Sequence, residues 1–178
     1  MTLNAKLCRT NALLTFAGTV LADYFHVANP TVDCSYLGVE GLQREFGHDR
    51  AYVILNLTAD LRSEFTWNTK QIFAYVNVEF ETEKNKENQM VMWSAIIQKP
   101  GDALLQLPNL RQQYPYAVTD QGFNLRGRPF NVTVSWNMMP RVGVLYTRHK
   151  TFTGFTLPVD YSQPAVGRMR TAGGGSDN

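Results

Sequence analysis

The sequence predicts an all-β fold: an antiparallel β-sandwich behind a single N-terminal apolar segment. Three observations carry this expectation. Apolar residues recur with period two over Tyr52–Leu61, Ile72–Phe80 and Phe130–Asn137, where β-branched and aromatic residues are enriched. Turn signals separate the strand-like runs, and no convincing helical periodicity follows residue 30. An uncharged stretch, Ala12–Ala22, stands near the N-terminus behind Lys6 and Arg9.

The first residues set the compartment, and three readings of them compete. Lys6 and Arg9, the apolar run and the small residues of Val20-Leu-Ala22 fit a signal peptide cleaved after Ala22. The same segment fits a retained signal-anchor or a buried core helix. From Ala12 to Ala22 a helix rises ~16 Å, and extended to Val27 it rises ~24 Å, against a bilayer core of ~30 Å. The endoplasmic reticulum bilayer is thinner, ~27 Å, which narrows the gap. For an anchor, Lys6 and Arg9 place the N-terminus in the cytosol and the rest of the chain in the lumen. In the anchor reading, which the resemblance described below implies, the organisation is a short cytosolic segment 1–11, a transmembrane helix 12–28, a lumenal sandwich 29–162 and a flexible tail 163–178.

Asn29–Arg50 is weakly periodic, with a strand expected near Cys34–Val39 and a charged turn at Arg44–Arg50. In Tyr52–Leu61, Val53, Leu55, Leu57, Ala59 and Leu61 share one face, while Asn56, Thr58 and Asp60 take the other. Arg62–Gln71 is a polar corner whose Phe65 and Trp67 are expected to fold back onto the sheet edge. Ile72, Ala74, Val76, Val78 and Phe80 form the next inward row. Glu81–Asn88 is a solvated hairpin loop by its mixed charges. In Gln89–Gln98 the alternation places Val91, Trp93, Ala95 and Ile97 on one face. Pro100–Asp102 is a turn. Ala103–Pro115 reads as a short helix or an irregular strand, broken by Pro108. Tyr116–Val118 is a short strand at best, and Thr119–Pro129 a loop. The clearest alternation follows: Phe130, Val132, Val134 and Trp136 inward, Asn131, Thr133, Ser135 and Asn137 outward. Phe152–Pro158 is a last short strand. From Gln163 onward the Pro, Gly, Arg and Ser content indicates disorder. Phe65, Trp67, Trp93, Val134 and Trp136 are the expected structural core markers.

Charge and chemistry narrow the function classes. The net charge is +2, and no basic stripe with interleaved aromatics suggests a nucleic-acid partner. Cys8 and Cys34 make no disulfide framework and are expected on opposite sides of a membrane. There is no Gly-x-Ser-x-Gly elbow, His-Glu-x-x-His, Cys-x-x-Cys or Walker loop. His26, His48 and His149 lack ligand spacing, and Asp60 and Asp120 read as ordinary strand and turn carboxylates. No catalytic, metal or cofactor residue is therefore assigned. Two glycosylation acceptor triplets, Asn56-Leu-Thr58 and Asn131-Val-Thr133, place Asn and Thr on outward strand faces.

Several motifs in order resemble those of one family. Thr58-Ala-Asp-Leu61, Phe65-Thr-Trp-Asn68, and Lys70-Gln71 with Phe73 and Tyr75 are similar to the strand–corner–strand signature of signal peptidase complex subunit 3. Asn88-Gln89 leading to Trp93, and Asn131-Val-Thr-Val-Ser-Trp-Asn137 with Pro140 and Gly143, extend the resemblance, which covers nearly the whole chain to about Tyr161. It implies a type II endoplasmic reticulum membrane protein with a lumenal sandwich. The partners implied are the catalytic signal peptidase subunit, whose serine and histidine do the cutting, and the other small membrane subunits. It also implies glycosylation at Asn131, no cofactor, and a retained anchor rather than a cleaved peptide. Asp23 and His26 depart from a longer, charge-free family helix. A secreted β-sandwich binding module released after Ala22, using Trp67 or Trp93 to bind, is the alternative from another class.

Overall fold

The computed structural model describes residues 3–45, 47–113, 116–120 and 122–162. A helix, α1 (Leu3–Tyr24), precedes eight strands: β1 (Thr31–Glu45), β2 (His48–Asp60), β3 (Thr69–Phe80), β4 (Asn88–Ile97), β5 (Leu104–Leu110), β6 (Val118–Asp120), β7 (Pro129–Pro140) and β8 (Tyr146–Thr156). Their pairings are all antiparallel. One sheet runs β1-β2-β5, with β6 also on β2, and the other runs β4-β3-β7-β8.

The core lies between the two sheets. Val53, Leu55, Leu57 and Ala59 of β2 face Ile72, Ala74, Val76 and Val78 of β3, and all are buried. Phe130, Val132, Val134, Trp136 and Met138 of β7 complete the layer. Every second residue of these strands is apolar, so one pleated face of each sheet leaves water when the sheets stack. Tyr36, Phe130 and Phe155 close one end, with ring centroids 5.3–5.7 Å apart.

Irregularities account for most departures from the sequence reading. β1 is a 15-residue strand rather than a short one near Cys34–Val39, and most of the charged turn expected at Arg44–Arg50 is paired strand instead, with Arg44 opposite Asp49 and Glu45 opposite His48. Its register shifts twice, around Leu37 and Glu40, so alternation is lost although pairing continues. In β4 a shift between Val76 and Asn77 makes Met92 an extra residue. Met92 is fully buried and Val91 turns out to solvent, correcting the single inward row expected there. Trp93 is half-buried against the core. β5 is an irregular strand: Asn109 adopts φ 53°, and its backbone N–H donates to Asn56 Oδ1 (2.9 Å). β8 begins at Tyr146, ahead of the expected Phe152.

The helix begins at Leu3, earlier than the expected residue 12, and ends at Tyr24. Every described residue from Asn4 to Gly18 is exposed, so most of α1 projects away from the sandwich. Its 22 residues reach ~33 Å, but the uncharged part, Thr10–Ala22, reaches only ~20 Å. No helix among the described residues is long and apolar enough to cross a membrane. The expected flexible tail, residues 163–178, lies outside the described residues.

Cys8 is exposed on α1, whereas Cys34 is buried opposite Leu57, where desolvation and then Asp33 push its thiol up to about 11. Two tryptophans differ sharply. Trp136 is 4% exposed, and Trp67, expected in the core, is 67% exposed because the corner carries it away from the sheet edge. Urea unfolding of the full chain in mild detergent separates them: Trp136→Ala is expected to cost ~3–5 kcal/mol and Trp67→Ala under ~1 kcal/mol.

Candidate functional site at the sheet corner and helix exit

After β2 the chain must cross from one sheet to the other, and the crossing is built locally. The Asp60 carboxylate accepts the Arg62 backbone N–H (3.1 Å), Nε (2.9 Å) and Nη2 (2.6 Å), which holds its pKa down at about 2. This fork starts a 3-10 turn, Arg62–Glu64, in which the Glu64 N–H donates to the Leu61 carbonyl (3.0 Å). The turn points Glu64 inward, where it is fully buried.

There Glu64 Oε1 accepts hydrogen bonds from Trp136 Nε1 (2.9 Å) and Arg148 Nη1 (3.2 Å). Thr69 Oγ1 donates to the Glu64 carbonyl (3.1 Å). Asn68 locks the corner to the β7–β8 turn: its Nδ2 donates to the Val142 carbonyl (2.7 Å), and its Oδ1 accepts the Val142 N–H (3.1 Å). The Arg141 N–H donates to the Asn68 carbonyl (2.7 Å). The corner is thus fastened to β7, β8 and their connecting turn.

The helix end is fastened to the same corner. His26 Nε2 lies 2.9 Å from the Ser63 carbonyl oxygen, and Thr66 Oγ1 donates to Asp23 Oδ1 at 3.5 Å. Two cavities flank this contact, and both are lined by Asp23 and His26. One, of about 350 Å³, also involves Val20, Tyr24, Val144, Tyr146 and Arg148. The other, of about 270 Å³, involves Phe65, Thr66 and Trp67. Burial, then the charges of Asp23 and Glu64, raise the Tyr146 hydroxyl above its ordinary value.

The remaining residues singled out from the sequence lie apart from one another. Asp120 is buried and accepts from Thr82 Oγ1 (3.4 Å) and Asn124 Nδ2 (3.1 Å). His149 is exposed on β8, and His48 Nδ1 is buried without a hydrogen-bond partner. None of the three histidines bonds to a serine or cysteine side chain among the described residues. Asn131 lies half-exposed on the outer face of β7, lining a cleft of about 340 Å³ with Glu79, Lys86 and Asn88. The Oδ1 of Asn56, by contrast, is held by Asn109. Phe65 is half-buried against the core.

Sequence reasoning missed Glu64, Asn68 and Arg148. One signal was available: an inward Trp136 needs an acceptor for its indole N–H. Which carboxylate would supply it depends on the corner's path.

Comparison with known proteins then places the chain. A family profile described as Signal peptidase subunit matches residues 2–160. The chain belongs to this family. Proteins named Signal peptidase complex subunit 3 are similar to it. The Drosophila melanogaster relative is 34% identical over 170 residues, covering 93% of this chain and 92% of the relative. The Dictyostelium discoideum relative is 28% identical over 167 residues, covering 88% and 96%. The Gallus gallus relative is 40% identical over 98 residues, about half of each chain (54% and 53%). The corner, Glu64 and Trp136 all fall within the residues the family profile matches.

Removing Glu64 tests the corner. Glu64→Ala is expected to destabilise the full chain by about 3–5 kcal/mol, because it strands the indole N–H and a half-buried guanidinium. Glu64→Gln, which keeps an acceptor, is expected to cost clearly less in the same urea titration.

Proposed function

We propose that the chain is a non-catalytic accessory subunit of the signal peptidase complex of the endoplasmic reticulum. In this reading α1 is a retained type II signal-anchor. The sandwich buttresses the catalytic subunit on the lumenal side during removal of signal peptides, and a serine-type site on that subunit does the cutting. The observation that carries the reading is the family match over residues 2–160. The hydrogen bonds described at the site join the corner to the helix end, to β7 and β8, and to their connecting turn, which suits a structural role.

The helix supports an anchor role. Thr10, Thr15 and Thr19 each donate their hydroxyl to the carbonyl four residues back, at 2.8–3.0 Å. Their donors are therefore satisfied within the helix and add little cost in lipid. Leu7, Leu13, Leu14, Phe16 and Leu21 are exposed, and on a projecting helix this apolar surface needs a cover. Lys6 and Arg9 reach the cytosolic headgroups, while Asp23 sits at the lumenal end, where Thr66 bonds it. The ~20 Å uncharged part is shorter than a ~27 Å core, and local thinning or neighbouring helices of the complex accommodate the difference. A glycan at Asn131 projects from the outer sheet face, clear of the core.

The test is purification of the tagged chain from its own microsomes in mild detergent. The expected product is uncleaved at its N-terminus and brings down a serine-dependent signal peptidase. Its glycosidase-sensitive band shift is lost in Asn131→Gln and kept in Asn56→Gln. A soluble chain that begins at Asp23 and carries no partner would overturn the reading.

A further inference from the structure

The apolar side chains around the helix exit are not scattered. Val144 (80% exposed) and Leu145 lie on the β7–β8 turn, and Trp67 (67% exposed) lies on the corner. Val144 lines one of the two cavities that share Asp23 and His26, and Trp67 lines the other, so they stand on two sides of the helix end. Tyr24 and Phe25, both exposed, pack edge-to-face at 5.4 Å at the same end.

We infer that this end of the sandwich is a lipid-contacting surface, with Val144 and Leu145 on one side of α1 and Trp67 on the other entering the headgroup region of the lumenal leaflet. The inference rests on the anchored reading of α1 and adds a second membrane contact to it. Three observations favour a bilayer over other occupants. The surface is continuous with the exposed apolar flank of α1, so whatever solvates the helix meets it next. Its composition, Trp and Tyr with aliphatic tips and the exposed Arg141 beside them, suits an interface that is apolar at depth and carries headgroup phosphates above. The tip is also pre-formed. Asn68 holds Val142 from both sides and accepts the Arg141 N–H, so Val144 and Leu145 extend from a fixed base. Little ordering is then required when the tip enters lipid.

Spin labels report the depth directly. The full chain, with Cys8→Ser and Cys34→Ala, is reconstituted in phosphatidylcholine–phosphatidylinositol vesicles with a single label at Val144→Cys, Leu14→Cys or Thr153→Cys. Collision with oxygen and with a water-soluble nickel chelate is measured for each. The expected result is an oxygen-to-nickel ratio at Val144 severalfold above that at Thr153 and below that at Leu14. A lipid-buried Leu14 with Val144 as wet as Thr153 would overturn the inference and leave the anchor standing. So would a Val144 label shielded from both reagents, which indicates protein contact. Wet labels at both Leu14 and Val144 would overturn the anchor and the inference together.

Discussion

The structure depends on one buried carboxylate. Burying Glu64 without partners would cost several kcal/mol, so the corner is stable only where Arg148 and Trp136 reach its oxygen. That requirement fixes more than a turn. It sets where β3 begins relative to β2, and it brings the β8 arginine and the β7 indole to the same point. Asn68 then clamps the β7–β8 turn, and Asp23 and His26 tie the helix end to the same corner. A leucine at position 64 could fill the volume. It would offer no reason for the indole and guanidinium to converge there.

How far this was legible in the sequence follows from what each segment encodes locally. In β7 Thr133 and Ser135, expected outward, are buried along with the inward row, whereas β2 and β3 alternate and their faces agree with the pattern. β1 and β4 do not, since Leu37, Glu40 and Met92 are inserted at bulges that reverse the face without changing composition. β5 hides behind Pro108 and the positive φ of Asn109, which needs the Asn56 side chain from another strand. The polar composition of the corner fits Arg62, which is exposed. It gives no sign that Glu64 is buried, because its partner Arg148 lies 84 residues along the chain. Trp67 misled for the converse reason: an aromatic residue beside a sheet reads as core, yet it faces outward. The charge-free stretch marks only part of the helix, which among the described residues also takes in Lys6 and Arg9.

These features give an accessory subunit a plain physical role. A helix linked to a domain by a free hinge would let that domain sample many orientations. Here Thr66 of the corner bonds Asp23 in the last helical turn, and His26, just past the helix, lies 2.9 Å from the Ser63 carbonyl oxygen. Asn131 lies on the outward face of β7, where a glycan would leave the packed interior untouched.

The most direct measurement is signal-peptide cleavage in membranes depleted of this chain and then supplied with it. The account predicts that cleavage of a secretory precursor falls on depletion and returns when the wild-type chain is restored, while the purified chain alone cleaves nothing. Full cleavage in its absence, or cleavage by the isolated chain, would contradict it.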